Sequence, residues 1–369
     1  MNRRTFFVSA ATAAASQLSH AQERQNTGMI GVGNRGSHLL QGVMQQPDAK
    51  VAMICDIKPD RLDKAATAAA KDNPSTTPDW RKIIDRKDIT AVFIATPPHL
   101  HAEMAMAAIK AGKHVYCEKP IGVTAAQVRE LLAVARASKT VFVAGQQLRS
   151  QKQLGEAVRK IREGVIGDVI MVKAQRHATN DIAHDGTSGD WYFDVTKSGG
   201  YLIEQSVHNL DLCNWVIGAH PTSASGYGAT MLFKNDPPGR TIFDCGSITF
   251  QYPGGVHMSF TQNVFHPRGM PNGNQYVYVY GTKGAVDLMS PGAGMMYPMG
   301  REGKPSQLAE KQQEDQHAHI AAFYNCVLRG GVSPADITVG ATAALTSILG
   351  HEAMKQQKVV TWKELGVNV

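Results

Sequence analysis

The stretch GMIGVGNRG, residues 28–36, constrains this chain more than any other. A short apolar run leads into Gly31, Gly33 and Gly36, a GxGxxG spacing, and a helical pattern follows at once. Glycine at those three places permits a tight turn, close approach of backbone to a pyrophosphate, and tight helix–strand packing. The helix N-terminus then faces the phosphates with free N–H groups. Alone the spacing is weak, but twenty residues after Gly36 a second apolar run ends in Asp56. A carboxylate there accepts hydrogen bonds from the adenine-ribose hydroxyls and repels a 2′-phosphate. NAD is the expected cofactor. NADP is less expected, although Lys58 close by tempers that preference.

The same alternation runs on to Val143. The runs GMIGVG, VAMICD, AVFIAT, HVYCEKP and VFVAGQ read as strands buried on both faces. Between them GSHLLQGVMQQ, PDRLDKAATAAA, HAEMAMAAIKAG and TAAQVRELLAVARAS carry helical spacing, the last with Thr124 as its N-cap. This predicts a doubly wound parallel α/β sheet over residues 28–147. From 148 to 369 the pattern changes. A helix (KQLGEAVRKIREG) leads to a strand (DVIMVKAQRH), a polar stretch and the helical GGYLIEQSVHNLDLCNWVIG. Three strand-like runs follow, TIFDCGSITFQY, GGVHMSFTQNVF and NQYVYVYGTKGAVDLM, joined by Gly- and Pro-rich turns. They predict a second α/β domain with an open, mainly antiparallel sheet. Helices around 315–329 and 338–357 close the chain, and 290–314 reads as an irregular surface loop.

A chain of 369 residues, 43% hydrophobic, has material for two domains. Its net charge of +7 comes from scattered basic residues, which argues against a nucleic-acid partner. The first 21 residues form a separate signal. Arg3-Arg4, then Phe6-Phe7, a weakly apolar small-residue run, and Ser19 and Ala21 before Gln22 read as an export leader. Paired arginines resemble the twin-arginine type, which moves folded proteins, so the expected location is the periplasm. The run is too short for a membrane span of about 20 apolar residues. The five cysteines, 55, 117, 213, 245 and 326, show no CxxC pair and sit among apolar neighbours, as free buried thiols do.

Three further motifs carry chemistry. EKP at 118–120 and ATPPHLHAEMA lie where strands leave the carboxyl edge of the sheet, where such folds bind ligands. Taken alone, each reads equally as a surface turn. In EQSVHNLD, Glu204, His208 and Asp211 fall at i, i+4 and i+7, on one helix face. A polar face with a structural histidine is the bland alternative. A metal site is disfavoured because no matching His, Cys or Asp cluster recurs nearby.

Together, GxGxxG, Asp56, ATPP, EKP, SGGYLIEQSVHNLDLCNW and YGTKGAV, in that order, resemble the Gfo/Idh/MocA family of sugar-type oxidoreductases. The resemblance implies a Rossmann domain, then an α/β domain whose open sheet mediates homo-oligomers, and a carbohydrate substrate. It implies Lys119 as the proton-handling lysine and His208 as the catalytic or substrate-orienting histidine. Glu204 stands where the family has Asp. The cofactor is then expected against Gly31, Gly33, Asn34, Arg35, Gly36, Asp56, Thr96, Pro97, His99, Glu118 and Gln147. Substrate contacts are expected from the polar stretch and its flanks: Arg149, His177, Asp190, Trp191, Tyr192 and Lys197, beside Lys119 and His208. Oxidising a carbinol needs a hydride acceptor, a base and an oxyanion partner. Outside the cytoplasm no cofactor pool replenishes the enzyme, so the cofactor should be tightly held and recycled. That leaves coupled oxidation and reduction, or transient oxidation with elimination that cleaves a glycoside. A cofactor-bound binding protein without turnover is the rival from another class.

Overall fold

Runs such as Ala91–Ile94, buried at every position, have no polar face to offer water and fold into the middle of a sheet. The computed structural model describes residues 24–178, 190–270, 273–289, 294–300 and 302–369, so the leader lies outside the described residues. Six parallel strands, β1 Gln25–Ile30, β2 Ala49–Cys55, β3 Ser75–Thr77, β4 Ala91–Ile94, β5 His114–Cys117 and β6 Phe142–Ala144, are ordered β3-β2-β1-β4-β5-β6. Helices α1 Asn34–Met44, α2 Pro59–Ala68, α3 Arg81–Asp85, α4 His101–Lys110 and α5 Ala125–Arg136 connect them. Thr124 caps α5 in a capping box with Gln127, as its sequence predicts. β3 was not expected, because Ser75-Thr76-Thr77 has no apolar run.

The second unit contains α6 Lys152–Arg162, β7 Val169–His177, α7 Val195–Ser198, α8 Tyr201–Glu204 and α9 Val207–Ile217. Strands β8 Ser223–Ala229, β9 Cys245–Gln251, β10 His257–Asn263, β11 Gln275–Gly281, β12 Gly284–Asp287, β13 Met295–Pro298 and β14 Ser306–Gln307 follow. α10 Ala318–Arg329, α11 Ile337–Gln356 and β15 Val360–Thr361 end the chain. The sheet runs β14-β13-β12-β11-β7-β10-β9-β8-β15, antiparallel except where β7 pairs with β10. The doubly wound sheet and the mainly antiparallel second sheet are both as expected.

Three local expectations change. The helical run from Gly199 breaks in two: Gly199 and Gly200 both take left-handed φ, α8 lasts one turn, and α9 starts afresh at Val207. Within 290–314, expected as irregular, β13 and β14 extend the sheet edge. β8, whose sequence SASGYGA lacks bulk, pairs between β9 and β15. The cysteines are free, with Cys55, Cys117, Cys213 and Cys326 buried and Cys245 half-buried.

The end of the chain returns to the first sheet. Ile320, Phe323 and Tyr324 of α10 join the core of Met29, Leu39, Val51, Phe93 and Tyr116. The Thr27 and Tyr324 hydroxyls meet at 2.7 Å, and Ala144 N donates to Ala335 O at 2.8 Å. α11, apolar on most of its surface, is buried between α5, α8, α9 and strands β8 and β9.

Candidate active site at the domain junction

The cradle at the end of β1 is made of backbone. Gly31 takes φ +84°, and a Cβ there would meet Ala95 O at 2.7 Å. At Gly36 a Cβ would meet Gly31 O at 2.0 Å, so only glycine lets α1 approach the loop. No side chain caps the N-terminus of α1, which leaves its first N–H groups to an anion. Asp56 is buried at the end of β2, its carboxylate accepting from Val32 N at 2.9 Å and Lys58 N at 3.0 Å. These bonds aim a fixed charge at the position of an adenine ribose. The cradle fits NAD.

Side chains take over toward the second unit. Arg35, in the first turn of α1, donates Nε to Glu118 Oε1 at 2.7 Å and bonds Gln147 Oε1. Burial pushes the Glu118 carboxyl up, but Arg35 and Lys119 outweigh it and hold the group below its usual range. Lys119 Nζ crosses the junction to Glu204, bonding its backbone O at 2.5 Å and Oε1 at 2.9 Å. Glu204 Oε2 accepts from Gln205 Nε2 at 2.6 Å.

His208 opens α9 beside this pair. Its Nδ1 lies 3.2 Å from Gln146 Oε1, an acceptor, so Nδ1 carries the hydrogen and Nε2 keeps a lone pair. Burial, then the charges of Lys119, Arg176 and Arg35, push its pKa well below the ordinary histidine value. His208 is neutral at pH 7, the form a base requires.

Other expected residues lie elsewhere. Arg149 makes a bidentate pair with Asp211, at 2.9 and 2.8 Å, and covers the Trp215 ring. Burial lifts the Asp211 carboxyl above its usual range, and Arg149 opposes that. Asp211 thus serves packing rather than a shared face with Glu204 and His208. His177 faces His266, with Nδ1 atoms 3.3 Å apart, and Thr261; burial and His266 bring its pKa down to about 4. Lys197 is exposed beside Asp194, and Asp190 is exposed as well. Thr96 and Pro97 edge the cradle after β4, where Thr96 O meets His101 Nε2 at 2.7 Å. His99 lies against the Lys197 backbone. Asn34 and Gly33 sit at the mouth of the cradle. Trp191 packs edge-on against Tyr192, whose buried hydroxyl has no hydrogen-bond partner among the described residues.

Sequence reading missed Gln146, Gln205 and Arg176. Arg176 had a signal: it alternates with Val172 and Ala174 onto the buried face of β7, an odd place for a cation. Gln146 had none beyond its place at the end of β6.

A Rossmann cradle joined to a mixed-sheet domain, with a lysine gripped across the junction, defines an NAD-binding oxidoreductase. Residues 25–146 match the oxidoreductase family model with NAD-binding Rossmann fold, and residues 155–287 match the GFO/IDH/MocA C-terminal domain. The chain belongs to the Gfo/Idh/MocA family. It is similar to 2,7-anhydro-N-acetylneuraminate hydratase of Mediterraneibacter gnavus, 26% identical over 82% of this chain and 77% of the relative. It is also similar to trans-1,2-dihydrobenzene-1,2-diol dehydrogenase of Mus musculus, 31% identical over 62% of this chain and 63% of the relative. The fold matches levoglucosan dehydrogenase in complex with NADH and levoglucosan, with TM-score 0.78 and 20% identity. That match covers 92% of this chain and 99% of the other.

Proposed function

We propose that this protein is an exported NAD-dependent oxidoreductase that acts on a CH–OH group of a sugar, sugar derivative or glycoside. The observation that carries this reading is the Lys119–Glu204 contact across the junction, beside a neutral His208. The cofactor, when bound in the cradle, supplies the two-electron acceptor. Nε2 of His208 takes the hydroxyl proton, since Nδ1–H is committed to Gln146. The Lys119 ammonium, oriented by Glu204, donates to the oxygen on which negative charge builds. Glu118 and Arg35 hold the EKP loop against the cradle, so the lysine and the cofactor keep one spacing. Similarity to levoglucosan dehydrogenase of Pseudarthrobacter phenanthrenivorans, 32% identical over 45% of this chain and 42% of that protein, supports a carbohydrate.

A second reading uses the same groups. Transient oxidation acidifies the neighbouring C–H, that proton and the leaving group are lost together, water adds across the resulting double bond, and the carbonyl is reduced again, giving net glycoside cleavage. Similarity to a glycosyl hydrolase family 109 protein of Stenotrophomonas maltophilia, 32% identical over 47% of this chain and 42% of that protein, supports keeping it. Export with the cofactor locked in rests on the leader. Association of copies through the outer face of the second sheet rests on its exposed Tyr227 and the stacked Tyr276 and Tyr278.

The deciding experiment purifies the native exported protein, weighs it by native mass spectrometry, and incubates it with glycosides and no added cofactor. Retained NAD(H) and either reduced cofactor or released sugar are expected. A cofactor-free protein that works only with added NAD overturns self-contained cycling.

A further inference from the structure

β4 and β5 run side by side with Ile94 against Cys117, and beyond that pair Glu118 N donates to Ile94 O at 2.9 Å. Past this rung come Ala95-Thr96-Pro97-Pro98 on one side and Lys119-Pro120 on the other. Proline has no N–H, so Pro97, Pro98 and Pro120 cannot extend the ladder. The pairing of the two strands therefore stops just short of the lysine whose place matters most.

His101 takes over at that point. It opens α4 and is 1% exposed, so its ring is closed to solvent. Its Nε2 lies 2.7 Å from Thr96 O and its Nδ1 lies 2.7 Å from Pro120 O. Both oxygens can only accept. Burial favours the neutral ring, which donates through one nitrogen; the two carbonyls and Glu118 favour the charged ring, which donates through both. In either form the imidazole fills the gap between the turns. One of those turns lies on the cofactor side, since a Cβ on Gly31 would meet Ala95 O at 2.7 Å and Thr96 N at 3.0 Å. The other carries Lys119, whose Nζ reaches Glu204. A single ring thus stands between the glycine cradle and the lysine.

Resting on the oxidoreductase reading above, we infer that His101 is a positioning residue: its ring, spanning Thr96 O and Pro120 O, sets the distance between Lys119 and the cofactor. Buried behind the two turns, it acts through Lys119 rather than on substrate. Arg35 on Glu118 ties the EKP turn to α1 from one side, and His101 ties it to the ATPP turn from the other. An apolar side chain in its place would fill the space but remove the donor that both carbonyls face. An error of about 1 Å in such a spacing costs about 10²-fold in rate.

The test follows two lysines of the NAD-loaded protein. Lys119 reports on the EKP turn. Lys113, 3% exposed and donating to Arg86 O and Ile89 O at 2.8 and 2.9 Å, reports on the far end of β5. Brief acetylation with acetic anhydride, read by mass spectrometry, compares their rates in wild type, His101→Leu and His101→Gln. In His101→Leu, Lys119 should label several-fold faster while Lys113 stays unchanged, because the release is local. His101→Gln, whose amide carries two N–H donors, should restore most of the protection. With glucose and methyl glucoside as probes, kcat for reduction of bound NAD should fall roughly 10- to 100-fold in His101→Leu, with KM nearly unchanged. Unchanged labelling of Lys119, a parallel rise at Lys113, or a rise in KM at constant kcat overturns the proposal. Should His101→Leu fail to fold, His101→Asn, too short to span both carbonyls, takes its place with the same expectations. Selective labelling of Lys119 with neither probe oxidised by the wild type leaves His101 standing and counts against the oxidoreductase reading.

Discussion

The two halves of this site are built from different materials. The cofactor half is backbone: a left-handed Gly31, a crowded Gly36, an uncapped helix end, and Asp56 held by two main-chain N–H groups. The substrate half is side chain: Lys119 on Glu204, Arg35 on Glu118, Arg149 on Asp211, His208 on Gln146. Backbone sites are specified over a few consecutive residues and tolerate little. Side-chain sites join residues 62 to 85 apart in sequence and can be retuned one pair at a time.

The sharpest way to break that contrast is to cut one pair. Arg149→Ala leaves Asp211 buried without its partner and should cost about 3–5 kcal/mol of stability, read as a urea midpoint shift. A loss below about 1 kcal/mol would mean the pair is ornamental. Next in size, Lys119→Ala and His208→Ala should each slow reduction of bound NAD by about 10²-fold, near 3 kcal/mol, with the fold intact by circular dichroism. Normal turnover in both would remove the proposed chemistry.

A smaller effect is expected from acid. His319, buried on α10 with its Nδ1 at 3.0 Å from the Tyr116 hydroxyl, has its pKa brought down to about 4 by burial and by Arg35. Its folded value lies below the unfolded one, so the folded state binds fewer protons. The stability it permits is complete above about pH 6.5 and falls as pH drops toward 4. At pH 5 the loss is about 2 kcal/mol from this group. Denaturant midpoints at pH 7 and 5 should show it, and His319→Asn should flatten the difference. Last, Asp56→Ala should weaken NAD binding about tenfold and narrow the preference over NADP, read by calorimetry. Unchanged affinity for both cofactors would take Asp56 out of the site.

The contrast also explains what could be read in advance. Gly31, Gly33, Gly36 and Asp56 announce a cradle because their chemistry is local, and the fold followed from the alternation around them. Lys119 and His208 were recognisable only by their motifs. That Arg149 belongs to Asp211, or Gln146 to His208, depends on where α9 lands against β6, and no spacing encodes that. The one-helix reading of Glu204, His208 and Asp211 failed at Gln205 and Ser206, where α8 ends with Glu204 and α9 has not yet begun. β3 and β8 escaped because Ser, Thr, Ala and Gly carry no hydrophobic period.

The return of α10 to the first sheet has a consequence for the order of events in synthesis. A ribosome releases the six strands of the cofactor domain long before it releases Ile320, Phe323 and Tyr324, which fill the exposed side of that sheet. At about 5–20 residues per second, the interval between Ala144 and Ala335 is on the order of 10 to 40 seconds. During that time the nucleotide cradle exists only with one flank bare. The first sheet is therefore finished late, when the last part of the polypeptide closes over the first, and a chain shortened before residue 318 would leave that apolar face uncovered.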